Sequence, residues 1–512
     1  MYSKKCVSRL TCAALSIAAL LPAVALADSE WRFSGANLQN TRSATSESHL
    51  RPDNVSGLHV KWVFTAHGDV SATPAVQDGA VYVPDWGGWI NKLDAATGAV
   101  LWTRRIQDFT GVPNSRSRNT PALRGDRLFL GTLDGRLLAL DKNTGDLIWQ
   151  VVVDPHPAAV ITQSPIAFGD RVYVGVASYE ESFQADPTYP CCTFRGNVLA
   201  LDAQTGAEVW RTYVVPQGYA GGGVWGSTLA VDTQRNSLYV TTGNNSYVPP
   251  DARVCLLSAS DDATAAACLA SDDYFDSILA LDLTTGARKW GHKFVPSDVF
   301  VLSCLIMPEN CPPPGGPDFD FGQGAAFFQV PAPEGETRDL VGAGQKNGIY
   351  WALDPDTGAT VWHTQVGPGS LGGGMMWGSA VANGHVYAAL HNFAHTAYTL
   401  QPSGQSSAWG NFTGLDATTG QILWQTPDPV EGAIDGAPIT TANGVVFGCS
   451  LDPQGHMYAL DGQTGTILWS FASGGSCNGG AAVVDGTVYW GSGYSNFGAG
   501  TANNKLYAFT VD

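Results

Sequence analysis

The sequence predicts an all-β fold: an eight-bladed β-propeller of four-stranded antiparallel blades, with the ring closed by an N-terminal strand. Three observations carry that expectation. The motif Leu-Asp-x-x-Thr-Gly-x-x-x-Trp occurs seven times, at Leu93–Trp102, Leu140–Trp149, Leu201–Trp210, Leu281–Trp290, Leu353–Trp362, Leu415–Trp424 and Leu460–Trp469. Most copies are preceded by a second hairpin pattern, such as "PAVQDGAVYV" or "PITTANGVVFG". An eighth unit is split between the chain ends. Recurrence at intervals of about 40 to 80 residues signals a propeller, solenoid or array. A parallel β-helix would need short, uniform coils rather than these hairpins.

Each motif reads as a hairpin with docking chemistry at its end. Residues before Leu-Asp, as in "GRLLALD", alternate in the manner of a strand. The Asp can bond its own backbone in the turn, and the Gly supplies the positive φ of a short hairpin loop with a bulge. The Trp on the next strand can bury its ring between neighbouring blades, and its indole N–H then needs a partner. The preceding hairpin starts with Pro and turns at Asp-Gly, Gly-Asp or Asn-Gly, completing four strands per repeat. The C-terminal stretch "AAVVDGTVYWGS…NKLYAFTVD" supplies three strands and no closing Trp strand. The N-terminal "LHVKWVF", with Trp62, supplies that strand and removes two exposed sheet edges.

The first 27 residues read as a secretory signal, with Lys4, Lys5 and Arg9, an apolar run from Ala13 to Leu20, and cleavage expected after Ala27. Residues 28–512 then form one propeller, periplasmic or secreted. No later segment is apolar enough to span a membrane. The net charge is −18 and becomes more negative once the basic leader is removed, which argues against nucleic-acid and anionic-membrane partners.

Of the ten cysteines, Cys6 and Cys12 belong to the leader, and an even eight remain in an oxidising compartment. Cys255/Cys268 and Cys304/Cys311 lie in polar insertions and are expected to staple them. Cys449 and Cys477 occupy corresponding places in adjacent repeats. The adjacent Cys191 and Cys192 either bridge each other or pair elsewhere, and the plausible pairing of the other six favours the vicinal bridge. The sequence contains no Cys-x-x-Cys-His haem-attachment motif.

The repeats together with "CCTFRG", "GGGVWGS…YVTTGN" and "GQKNGIYWALD" resemble the pyrroloquinoline quinone (PQQ)-dependent alcohol dehydrogenases. "DPHPAAVITQSP" and "SYEESF…YPCCTFRGNVLALD" resemble the polyvinyl-alcohol dehydrogenase branch. The resemblance implies a cofactor site. Trp225 would form the floor under the quinone, with the Cys191–Cys192 bridge stacked against it. Arg118 and Thr162 would bind the cofactor carboxylates, Arg118 through its bidentate fork. Lys346 would contact the quinone oxygens, and Asn392 would be a further contact. Glu180, or Glu181 by a one-residue slip, would hold Ca²⁺ or a lanthanide together with Asn244 and Asp318. These hard oxygen donors suit such cations.

The general base is the point of departure from the family pattern. Pro296-Ser297-Asp298-Val299-Phe300 begins the expected context, but Val301 and a Pro-rich insertion interrupt it before "PDFDFG". Asp318 then reads as the base and Asp320 as a second carboxylate near the metal, with Asp298 competing for the role. The implied activity is oxidation of secondary, including polymeric, alcohols, with electrons passing to a separate cytochrome c. A cofactor-free scaffold of the outer-membrane-assembly type and a PQQ-dependent sugar dehydrogenase are the alternatives. Stretched gaps between repeat tryptophans run from Trp149 to Trp362, and most of the expected site residues fall there.

Overall fold

The computed structural model describes residues 1, 30–184, 186, 188–307, 311–496 and 500–512. The expected signal segment, including Cys6 and Cys12, lies outside the described residues apart from Met1.

Among the described residues, eight sheets make the eight blades, each built on a four-stranded antiparallel meander, and two of them carry a fifth, two-residue strand. The first blade sets the pattern: Ala75–Gln77, Ala80–Asp85, Trp89–Asp94 and Val100–Arg105, paired in sequence order. Its second strand is buried throughout, while the last strand exposes Val100 and Leu101. The remaining blades run through residues 122–152, 166–213, 230–293, 326–365, 380–427 and 440–472. In the eighth, Ala482–Val484, Thr487–Gly491 and Lys505–Thr510 pair in order, and His59–Thr65 adds the outer strand. Ring closure by the N-terminus is therefore as the sequence implies.

The motif turn works as expected and does more besides. Asp94 Oδ1 accepts from Thr97 N at 2.8 Å and Thr97 Oγ1 at 2.7 Å, fixing the turn. A bulge follows at Lys92/Leu93, and the equivalent register shift occurs at all seven motifs. Each Trp indole N–H donates to a backbone carbonyl of the next blade. Trp102 reaches Lys142 O at 3.2 Å, Trp210 reaches Leu283 O at 3.1 Å and Trp424 reaches Gly462 O at 3.0 Å. The acceptor is the residue immediately after the next motif's Asp.

At the split blade Trp62 follows this rule, and Trp469 finds a carbonyl that has no motif Asp before it. Trp62 donates to Ala95 O at 3.1 Å, and Trp469 donates to Leu58 O at 2.9 Å, just before the closing strand.

The motif glycine has a second role that its turn chemistry does not reveal. Gly286 has φ +73°, and a Cβ there would sit 2.5 Å from the Trp210 ring of the preceding blade. Gly98, Gly145, Gly206, Gly358, Gly420 and Gly465 meet the preceding Trp in the same way. The glycine therefore both turns the hairpin and leaves room for the neighbouring indole.

Residues 31–47 form an unforeseen axle. Trp31 pairs with Val76 of the first blade, and Leu123, Val231, Phe327, Val381 and Thr441 each donate a backbone N–H to this segment. Those residues lie on the innermost strands of the second, fourth, fifth, sixth and seventh blades. Glu47 accepts from Gly486 N in the eighth. Arg42 is fully buried here, its guanidinium donating to Ile439 O and Thr73 Oγ1, and burial pushes its pKa down to about 9.

All three expected distant pairs form disulfides, Cys255–Cys268, Cys304–Cys311 and Cys449–Cys477, and Cys191–Cys192 is bridged. Among the described residues, no helix is long and apolar enough to cross a membrane.

Gly286→Ala should lower thermal stability more than Gly335→Ala. Both glycines have positive φ, but a Cβ on Gly335 meets nothing within 4 Å. The left-handed backbone alone costs about 1 kcal/mol, and overpacking against Trp210 adds roughly 1–3 kcal/mol. Equal melting-temperature losses in the two variants would refute the second role of the glycine.

Candidate active site

In a four-stranded meander, the loop entering the first strand and the loop leaving the second lie at the same end. The site residues come from these loops. Arg118, Thr162, Trp225, Asp320 and Trp377 precede first strands of five successive blades. Tyr179, Glu181, Asn244 and Lys346 follow second strands. The motif turns join third to fourth strands, so they occupy the opposite end of the ring.

These nine residues line one cavity of about 240 Å³. From the lining, Lys346 Nζ donates at 2.8 Å to Oδ1 of Asp318, which itself lies outside the lining, and it sits 3.8 Å from Asp320 Oδ2. The same ammonium sits 5.3 Å from the centre of the Trp225 ring. Trp225 Nε1 donates to Asp320 Oδ2 at 2.7 Å, and Asn244 N donates to Asp320 Oδ1 at 3.0 Å. The Asn244 amide nitrogen donates to Asn245 O and Phe300 O at 2.9 and 2.8 Å. Its carbonyl oxygen is the end left for a ligand.

The cluster sets three carboxylates against one ammonium. Burial pushes Asp318 well above the usual carboxylate range, opposed by Lys346 and reinforced by Asp320 and Glu181. Glu181 is pushed up to about 7 by burial and then by Asp320, with Lys346 opposing. Burial alone would lower Lys346, but Asp318 and Asp320 outweigh it and hold the ammonium protonated. A hard cation among these oxygens would relieve the same repulsion. Among the described residues no three His, Cys, Asp or Glu side chains form a complete metal cage, so the Asn244 amide and a bound group would have to complete the shell.

Asp298, like Asp318, lies outside the lining, and it stands against the Asp318 backbone. Its oxygens accept from Asp318 N at 3.2 Å and Phe319 N at 2.7 Å. Burial is the main cause raising its pKa to about 6, with the Phe319 N–H and Asp276 opposing. Asp318 has φ +60°, a conformation costing of order 1 kcal/mol for a residue with a Cβ. Asp298 thus positions the Asp318 backbone.

Three other expected groups lie outside the lining. Glu180 turns away from the cavity: its carboxylate accepts from Thr193 N and Phe194 N at 2.8 and 2.6 Å and from the Tyr189 hydroxyl at 3.1 Å. The one-residue alternative, Glu181, reaches the cavity instead. Cys191–Cys192 is not in the lining; the bridge packs with Ala220, Val301, Tyr247 and Cys304. Glu180 ties the chain just after the bridge, so Phe194 rather than sulfur reaches the cavity wall. Asn392 is occupied by its own loop, donating to Thr396 O at 3.0 Å and accepting from Thr396 N at 3.1 Å.

Trp377 and Tyr179 are among the lining residues that escaped the sequence reading. Trp377 meets Trp225 edge-to-face at 5.4 Å and lies 4.2 Å below the Arg118 guanidinium. The signal was present, because "GGGMMWGS" around Trp377 echoes "GGGVWGS" around Trp225. Tyr179 carried no motif of its own.

A family model described as the PQQ glucose/ethanol/alcohol dehydrogenase β-propeller domain matches residues 31–369. The chain belongs to the PQQ-dependent alcohol dehydrogenase family. A model of the outer membrane protein assembly factor BamB also matches residues 346–510, which hold Lys346 and Trp377 but not the rest of the cavity lining. Two relatives of this family are polyvinylalcohol dehydrogenases. That of Sphingopyxis sp. (strain 113P3) is 30% identical over 90% of this chain and 73% of its own length. That of a Pseudomonas sp. is 28% identical over 94% and 77%. The quinohemoprotein alcohol dehydrogenase structure from Comamonas testosteroni superposes with a TM-score of 0.71 at 21% identity, covering 94% of this chain and 80% of that one. The shared fold is that propeller.

Glu180→Gln and Glu181→Gln should separate cleanly. The first weakens charge-assisted bonds to two amides and lowers the melting temperature, by an effect of about 1–3 kcal/mol, while PQQ affinity changes little. The second leaves stability nearly intact and weakens metal-supported PQQ binding. Thermal melts and cofactor titrations read both, and the reverse outcome would restore Glu180 as the ligand.

Proposed function

We propose that this family member binds PQQ in the 240 Å³ cavity and oxidises secondary alcohols, polymeric ones such as polyvinyl alcohol included, to ketones. The observation carrying the reading is the convergence of Trp225, Lys346, Arg118 and Thr162 on one cavity beside Glu181, Asn244 and Asp320. The donor set fits the implied groups. Trp225 offers a flat face, Arg118 and Thr162 offer donors for carboxylates, and the oxygens of Glu181, Asn244 and Asp320 suit a hard cation such as Ca²⁺ or a lanthanide.

When bound, PQQ supplies the two-electron oxidation, with the cation as Lewis acid. The chain's own residues do the rest. Asp318 is the general base for the alcohol hydroxyl, since its carboxylate is buried beside the cavity. The Lys346 ammonium, at 2.8 Å, favours the ionised form that can accept a proton. Asp298 holds the Asp318 backbone in place through two amide bonds. Trp225 and Trp377 shape the wall, and the Trp225–Asp320 bond fixes one carboxylate orientation. The proposal places the mature protein in the periplasm, with a separate cytochrome c taking electrons singly.

Dye-linked assays with added PQQ, and Ca²⁺ or a lanthanide in parallel, test this reading over a panel of alcohols and sugars. Asp318→Asn should cut kcat by about 10²- to 10⁴-fold while PQQ binding persists; full turnover would remove Asp318 as the base. Asp320→Ala should shift the preference from lanthanide towards Ca²⁺, because a trivalent ion loses more with each carboxylate removed. Equal loss with both metals would count against Asp320 as a ligand. Absence of PQQ binding at micromolar concentration would sink the enzyme reading in favour of a scaffold.

A further inference from the structure

A second chamber adjoins the cofactor cavity. It encloses about 460 Å³, and Tyr179 is a wall of both spaces. Trp86 lines it together with Arg105, Gln107, Asn114 and Arg116.

The aromatic wall is held rigidly and is coupled to the first cavity. Trp86 Nε1 donates to Ser71 Oγ at 2.8 Å. Arg116 and Arg118 both lie over the Trp86 ring, at 5.2 and 6.0 Å, and Arg118 also stacks on Trp377. The lining is rich in donors. Arg105 and Arg116 are exposed, while the chamber's carboxylate, Asp134, is already engaged by Ser115 Oγ at 2.7 Å and Arg136 Nε at 3.2 Å. In a chain of net charge −18, this patch carries the opposite sign and disfavours a basic occupant.

We propose that this chamber is a distal subsite for an extended, uncharged, polyhydroxylated chain whose reacting carbinol lies in the first cavity. Chain hydroxyls accept hydrogen bonds from Arg105, Gln107, Asn114 and Arg116, while the hydrocarbon backbone lies against Trp86 and Tyr179. Aromatic rings and fixed donors together suit such an amphipathic chain. A small alcohol fills only the first cavity and does not use the chamber. The inference rests on the alcohol dehydrogenase reading above, and it adds where the remainder of a polymeric substrate is held.

The test compares a short vinyl-alcohol oligomer with 2-propanol in the PQQ- and metal-loaded enzyme. Arg116→Ala removes donors, and Val112→Trp fills the chamber from its lining. Both variants should raise the oligomer KM about tenfold with kcat nearly unchanged, and leave 2-propanol kinetics and melting temperature within error. Calorimetric binding of the oligomer should weaken in parallel. An unchanged oligomer-to-2-propanol ratio in both variants overturns the subsite, as does an equal loss on both substrates. If the wild type oxidises no alcohol, the enzyme reading fails, and oligomer binding alone then decides the chamber: Arg116-dependent binding supports it, and no binding overturns it.

Discussion

The structure depends on one joint used at every blade boundary. An indole on the outer strand of one blade donates its N–H to a carbonyl beside the outer strand of the next, and at seven of the eight boundaries a glycine in the motif turn lies against the ring. A hydrogen bond of this kind contributes about 0.5–1.5 kcal/mol. Its larger consequence is geometric: ring and carbonyl together fix both the distance and the rotation between neighbouring blades. Because the joint closes at Trp62 and Trp469 as well, angular error cannot accumulate around the ring. Loops from five blades can then meet at one cavity with hydrogen-bond precision.

At that cavity the governing term is electrostatic. Asp318, Asp320 and Glu181 approach a single ammonium in a space that burial makes hostile to charge. Such a grouping is costly on its own, and it is tolerated where the ring imposes it. Trp225 and Asn244 hold Asp320 by hydrogen bonds, while Asp298 holds Asp318 through its backbone. The carboxylates are therefore pre-oriented before any ligand arrives, which is the condition for electrostatic stabilisation without reorganisation.

Most of the scaffold was legible in the sequence because its signals are local and repeated. A Leu-Asp-x-x-Thr-Gly turn encodes its own hydrogen bonds, and the bulge follows from the same residues. The glycine contact with the preceding Trp was hidden because it joins residues of different repeats. The axle of residues 31–47 has no period to betray it. At the site, identity was readable but orientation was not. Glu180 and Glu181 are adjacent on a short helical turn, and only the amides of Thr193 and Phe194 decide which carboxylate is taken up structurally. Asn392 sat in a plausible context, yet its side chain satisfies its own loop. Motif matching identified Cys191–Cys192, whereas the path of the chain after it placed Phe194 in the wall.

The axle changes how this molecule can come apart. A linear repeat protein frays from its ends, losing one unit at a time. Here the segment just inside one end is threaded through the middle of the ring, followed by the strand that pairs with the last strand of the chain. Neither terminus offers a loose blade from which unravelling could spread. Opening must break the latch between His59–Thr65 and Lys505–Thr510 and withdraw the axle from seven blades in one event. The ring is therefore built to open as a single unit, with the residues at its hub as the barrier to opening.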